Sequence, residues 1–179
     1  MSSYVLFLLI ALAPLACGQL VLGFCPLLPN YVRNLDFQRY SGTWYVIAQS
    51  RHHPMNAINC QRETYYLTSN GMSVYFNTSK NYTELQKYTN GTLKPKSSYK
   101  GELSLSLNNF PRRFNFKVLH VNYSQVAVEY TCLPGALNYT ASVTVLHRQP
   151  VHLRNINSGL QALNLTGIVP NELKIPFAL

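Results

Sequence analysis

Trp44 and Arg148 are the side chains of this sequence best matched for a defined physical interaction. Trp44 is the chain's single tryptophan and sits in Tyr40-Ser41-Gly42-Thr43-Trp44-Tyr45; Arg148 lies far downstream. A guanidinium laid over an indole and removed from water contributes up to roughly 2 kcal/mol. Gly42 lets the chain turn tightly into the strand that carries Trp44. A tryptophan at the bottom of a small β-barrel fills its taper, so the pair reads as a plug. A barrel plugged at one end is a cup at the other, and a cup holds a ligand.

Other reactive side chains give weaker signals. No Gly-x-Ser-x-Gly and no Ser-His-Asp order occurs, and there is neither a Cys-x-x-Cys nor a metal-ligand cluster. His52 and His53 are adjacent, and neighbours on a strand point opposite ways, which makes them poor co-ligands. No metal and no cofactor is expected. Residues 1–18 read as a secretory leader, with the apolar run Val5–Ala13 and the small residues Ala16-Cys17-Gly18 before Gln19. Cys17 leaves with it. Cys25, Cys60 and Cys132 remain, enough for one disulfide with three choices of partner.

Residues 19–179 are long enough for one domain with a sizeable core. Six sequons follow the leader, at Asn77, Asn81, Asn90, Asn122, Asn138 and Asn164, and together with it they argue for a secreted, extracellular glycoprotein. The formal net charge is +9. It suits a soluble basic surface, or attraction to an anionic membrane surface or acidic partner. Nucleic acid is not an expected partner, because no binding module is recognisable.

The elements that must position these groups are strands. Thirteen Tyr, eight Phe and many Val and Thr favour pleated structure. Short runs separated by turn residues place strands near 43–51, 60–68, 72–78, 83–89, 99–107, 114–121, 125–133 and 140–148. Ser69-Asn70-Gly71-Met72 is a hairpin turn. After Pro150, Leu153, Ile156, Leu160 and Leu163 form the stripe of one helix that packs outside the sheet. Two strands alternate ambiguously. Val126, Val128 and Tyr130 oppose Ala127, Glu129 and Thr131; Val143 and Val145 oppose Ser142, Thr144 and Leu146. Alternation alone leaves open which face is inside.

Three motifs in order carry a family resemblance. The first is Phe24-Cys25-Pro26 followed by Asp36-Phe37-Gln38-Arg39-Tyr40-Ser41-Gly42-Thr43-Trp44-Tyr45. The second is Val121-Asn122-Tyr123 with Val126–Cys132, where the family usually has Thr-Asp-Tyr; the third is Leu146-His147-Arg148-Gln149-Pro150. With these the chain resembles the lipocalins, most closely their apolipoprotein D-like and insect bilin-binding members, over residues 19–179.

The resemblance implies an eight-stranded up-and-down antiparallel barrel with one C-terminal helix outside. It implies closure by Gly42, Trp44 and Arg148, and a disulfide between Cys25 and Cys132. Cys60 is then free or intermolecular, because the chain ends Ile175–Leu179 without a further cysteine. Ligand-facing positions would be Glu63, Tyr65, Leu103, Leu105, Leu107, Phe116, Val118, His120, Ala127, Glu129, Ser142, Thr144 and Leu146. The implied function is non-covalent carriage of a small hydrophobic molecule (lipid, sterol, retinoid, fatty acid or tetrapyrrole), with Glu63 and Glu129 orienting it. Each Glu would be protonated, paired with an arginine such as Arg62, or left for the ligand. The alternatives are a lipid isomerase of the prostaglandin D synthase type using Cys60, and a glycosylated extracellular interaction protein. A cell-surface receptor is a further partner compatible with secretion.

Overall fold

The structure is a computed structural model that describes residues 21–28, 30–50, 60–79, 87–98, 100–151 and 173–174. Eight antiparallel strands follow one another around a closed barrel: β2 (Gly42–Ser50), β3 (Cys60–Thr68), β4 (Gly71–Ser79), β5 (Lys87–Pro95), β6 (Glu102–Leu107), β7 (Arg113–Asn122), β8 (Val126–Pro134) and β9 (Asn138–His147). Pairing of β2 with β9 closes the ring. Two short strands add to it, β1 (Val21–Leu22) on β9 and β10 (Leu173–Lys174) on β2. The helix expected after Pro150 falls outside the described residues. The described helix is one turn, α1 (Phe37–Tyr40), capped where Asp36 Oδ1 accepts the Arg39 N–H at 3.1 Å.

Two apolar clusters lie on opposite sides of the sheet. The inner one holds Trp44, Tyr65, Leu103, Leu105, Phe116, Ala127 and Leu146 among others. The outer one holds Ile47, Val126, Val128, Tyr130, Cys132, Val143 and Val145, with Cys25, Leu28 and Val151 packed against it. The faces that alternation left undecided are therefore fixed: the valines of β8 and β9 point out, and Ala127, Glu129, Ser142 and Thr144 point in. A disulfide between Cys25 and Cys132, with S–S 2.07 Å, ties the segment before α1 across the outer cluster.

The fourth barrel strand differs from expectation. It runs Lys87–Pro95 rather than 83–89 and passes straight through Asn90-Gly91, a pair that elsewhere makes turns. Gly91 is needed there for space: a Cβ would lie 2.6 Å from the Ser106 carbonyl oxygen on β6 and 3.0 Å from Leu107 Cδ2. Gly91→Ala is expected to destabilise by about 1–3 kcal/mol through overpacking against backbone; urea unfolding measures it, and a change below a few tenths would mean β6 yields freely.

Candidate functional site

Four elements converge on the closed end. The turn after β9 carries Arg148, whose guanidinium lies over Trp44 with Cζ 3.7 Å from the ring centroid. Its nitrogens donate to four carbonyls: Nε to Tyr123 at 3.0 Å, one terminal nitrogen to Thr43 at 3.1 Å, and the other to Arg39 at 2.9 Å and Tyr40 at 3.3 Å. One side chain thus clasps α1, the start of β2 and the β7–β8 turn. Gly42 has φ of +99°, and a Cβ there would stand 3.2 Å from this guanidinium, so glycine serves both the backbone conformation and the clasp. Trp44 is fully buried and its Nε1 donates to the Tyr40 carbonyl at 2.9 Å. On the outer side, Tyr123 joins the clasp: its hydroxyl accepts the Asp36 N–H at 3.0 Å, and Arg39 lies 4.4 Å from its ring centroid.

One layer above this floor lies a buried acidic cluster. Glu63 pairs with Trp44 across β2 and β3, and Glu129 faces it from β8. They are 1% and 3% exposed. Tyr40 Oη donates to Glu129 Oε1 at 2.5 Å. Tyr65 Oη is 2.7 Å from both Glu63 Oε2 and Glu129 Oε1. One phenol proton serves only one carboxyl, so Tyr65 donates to one and accepts from the other, which must carry a proton. Gln61 Nε2 donates to Glu63 Oε1 at 3.3 Å. Gln61 Oε1 is buried and has no hydrogen-bond partner among the described residues.

The electrostatics follow from burial. Loss of water pushes the Glu63 carboxyl well above its ordinary value, and the neighbouring Glu129 pushes it further. Burial raises Glu129 to about 7 against the hydrogen bonds from Tyr40, Tyr65 and Glu63 that favour its charge. Burial first, and the charge of Glu129 second, hold both phenols well above their usual range. Of the three states expected for the carboxyls, the geometry matches protonation. Arg62 is next to Glu63 on β3 and so projects to the opposite face, and Arg148 is engaged by carbonyls below the floor.

The other candidate positions are placed by register. Tyr65, Leu103, Leu105, Leu107, Phe116, Val118, Ala127 and Leu146 lie in the inner cluster. Ser142 and Thr144 are buried on the inward face of β9, with Ser142 Oγ 2.6 Å from Thr131 Oγ1. His120 is a correction. The β7 register shifts between Val118 and His120, so His120 opposes Val128 on the outer face and Val121 takes the inward place opposite Ala127. An extra residue in one strand reverses the alternation beyond it. Strict alternation from Phe116 could not have found it.

Residues the sequence reading did not single out also reach the interior. Gln61 follows from Glu63 by alternation, and Phe114 from Phe116. Tyr40 stood in the first motif without an assigned partner. Cys60 opens β3 opposite Ser79, and its side chain lies outside the described residues, as do His52 and His53. Asn77 and Asn90 are on the outward face of β4 and β5, exposed Asn122 ends β7, and half-buried Asn138 begins β9. Asn81 and Asn164 lie outside the described residues. Among the described residues, no group of three or more His, Cys, Asp or Glu is arranged to hold a metal ion.

A family described as a lipocalin-like domain matches residues 35–163. No curated protein matches the sequence. Solved structures with the same fold include insecticyanin from the tobacco hornworm Manduca sexta, 19% identical, covering 89% of this chain and 88% of that one with a TM-score of 0.67. Lobster apocrustacyanin A1 is 18% identical over 79% of each chain, with a TM-score of 0.64. A protein described as a biogenic amine-binding protein is 17% identical over 85% of this chain and 86% of that one, with a TM-score of 0.66.

Proposed function

The chain belongs to the lipocalin family, and on that footing we propose that it is a secreted carrier that holds a small hydrophobic molecule, without covalent attachment, inside the barrel. The observation that carries this reading is a barrel sealed at one end by Trp44 and Arg148, whose inward faces are mostly apolar. Its walls are uneven. Phe114, Phe116, Leu103, Leu105 and Leu107 are bulky on β6 and β7, while Ala127, Ser142 and Thr144 are small on β8 and β9. A guest would lie against the small wall and face the bulky one. Burying about 300 Å² of its apolar surface contributes roughly 7 kcal/mol, before the costs of association. Glu63 and Glu129 would orient it from below, with Tyr65, Phe116, Val118 and Leu146 around its body. Secretion is supported by the disulfide, which persists in oxidising compartments, and by the leader expected at residues 1–18. The outward or exposed asparagines at 77, 90 and 122 are suited to carry glycans.

Filling the cup tests the reading. Ser142→Trp places a large ring on the small wall and is expected to weaken binding of N-phenyl-1-naphthylamine, an uncharged fluorescent probe, by at least about tenfold. Fluorescence titration reads it, with far-UV circular dichroism to check the fold. Unchanged affinity in a folded variant would place the probe elsewhere and remove the cup as the site.

A further inference from the structure

We propose that Tyr66 and Tyr75, on the outside of the barrel, form a platform against which the first sugar of an N-glycan on Asn90 packs. The inference rests on the reading of the chain as a secreted glycoprotein and gives these two rings a role within it.

Tyr66 of β3, Ser73 and Tyr75 of β4, and Asn90 and Thr92 of β5 share the outer face of the sheet. Tyr66 and Tyr75 are 55% and 38% exposed. Their rings meet edge to face, with centroids 5.4 Å apart and planes at 88°. Neither ring belongs to the inner or the outer apolar cluster. Their neighbours on this face, Thr64, Ser73 and Thr92, are short and polar, so the two rings stand above the sheet. With Ser73 they line a shallow hollow of about 330 Å³.

Register ties this hollow to one sequon. Tyr75 is directly opposite Asn90, and Ser73 is directly opposite Thr92. Cβ atoms of residues so paired lie about 4.5–5.5 Å apart. The acceptor asparagine and the threonine that completes its sequon thus flank the two β4 residues that line the hollow. Gly91 between them belongs to the inward row and adds no side chain to this face. On the far side of Thr92 the β6 neighbour is Ser106, which is also small. Sugar attached as the chain enters the secretory compartment precedes strand pairing, so a place within β5 is no obstacle to it.

The occupant follows from chemistry and scale. The C–H face of a pyranose ring is slightly positive and suits the negative face of a phenol. The hydroxyls of Ser73 and Thr92 suit the polar edge of the sugar. Two rings are too little for a protein partner, which covers roughly 800 Å² on each side of a stable interface. A sugar linked to Asn90 needs no free ligand, because a short tether acts as an effective concentration on the order of millimolar. It would also stand in the way of any other partner at this hollow.

The test is a double-substitution cycle, Tyr75→Ser with Asn90→Gln, on the full chain secreted from mammalian cells. Glycans are held at the high-mannose stage and trimmed with an endoglycosidase to one N-acetylglucosamine per site. Peptide mass mapping reads occupancy at Asn90, and urea unfolding with the disulfide intact reads stability. Asn90 is expected to carry sugar. Asn90→Gln should raise the unfolding equilibrium constant about threefold to tenfold in the parent, and hardly at all in the Tyr75→Ser background. In bacterially produced protein, which has no glycan, the two changes should simply add. Tyr66→Ser provides the same reading if Tyr75→Ser does not fold. Secreted protein with Asn90 unmodified, or a glycan effect of equal size with and without Tyr75, would overturn the platform and leave secretion standing. A chain found in the cytosol with residues 1–18 still attached would remove both.

Discussion

Trp44→Ala is expected to lower the free energy of unfolding by about 3–5 kcal/mol, the range for deleting a large buried aromatic side chain. Three losses coincide at this position. The indole is fully buried against Tyr40, with ring centroids 5.3 Å apart. Its removal takes the face from under Arg148, a desolvated contact of up to roughly 2 kcal/mol. It also takes one of the donors from the Tyr40 carbonyl. Trp44→Phe separates these terms, since it keeps a ring beneath the guanidinium and loses the N–H; about half the full effect is expected. Arg148→Lys keeps the charge but cannot reproduce the forked bonds to Arg39, Tyr40, Thr43 and Tyr123. Urea unfolding with the disulfide intact measures all three. A loss below about 1 kcal/mol for Trp44→Ala would mean that the floor is held by something other than this pair.

The legibility of this closed end in the sequence has a physical cause. Trp44, Gly42 and Arg148 each do something that few residue types do, so their identities survive as a readable pattern. Leu103, Leu105 and Leu107 were readable because β6 has no irregularity and its burial alternates strictly. Where the strands are irregular, reading failed. The register shifts once in β7, moving His120 outward, and once in β2, where Ile47 and Ala48 both meet the outer cluster. A bulge is a property of two strands together and leaves no mark in one of them. The bounds of β5 were missed for a related reason, since Gly91 lacks a side chain to suit a neighbour on β6. The acidic cluster was half legible. The resemblance implied that Glu63 and Glu129 face inward. Their meeting through Tyr65 and Tyr40 depends on α1 delivering a phenol from outside the strand pattern.

That meeting gives the protein an unusual dependence on pH. Glu129 ionises near 4.5 in an unfolded chain and at about 7 in the folded one. Below about pH 4.5 both states hold the proton, and this group adds no slope. Between about 4.5 and 7 the unfolded state releases a proton that the folded state keeps, so stability falls as pH rises. Above 7 both are ionised and the loss levels off, at about 3 kcal/mol for this carboxyl. Glu63 is raised by the same burial, adds loss of the same sign and extends it to higher pH. Glu102 shifts the opposite way through its 2.9 Å bond to Lys117, but it is too solvated for that pair to offset a buried one. The chain is therefore expected to be less stable at pH 8 than at pH 5 by about 3 kcal/mol or more, measured by urea unfolding across that range. Glu129→Gln keeps a carbonyl to accept from Tyr40 and removes the ionisation, so its profile should flatten and cross that of the parent between these limits. Stability that stays level or rises from pH 5 to 8 in the parent would mean that the pair is already ionised inside the fold.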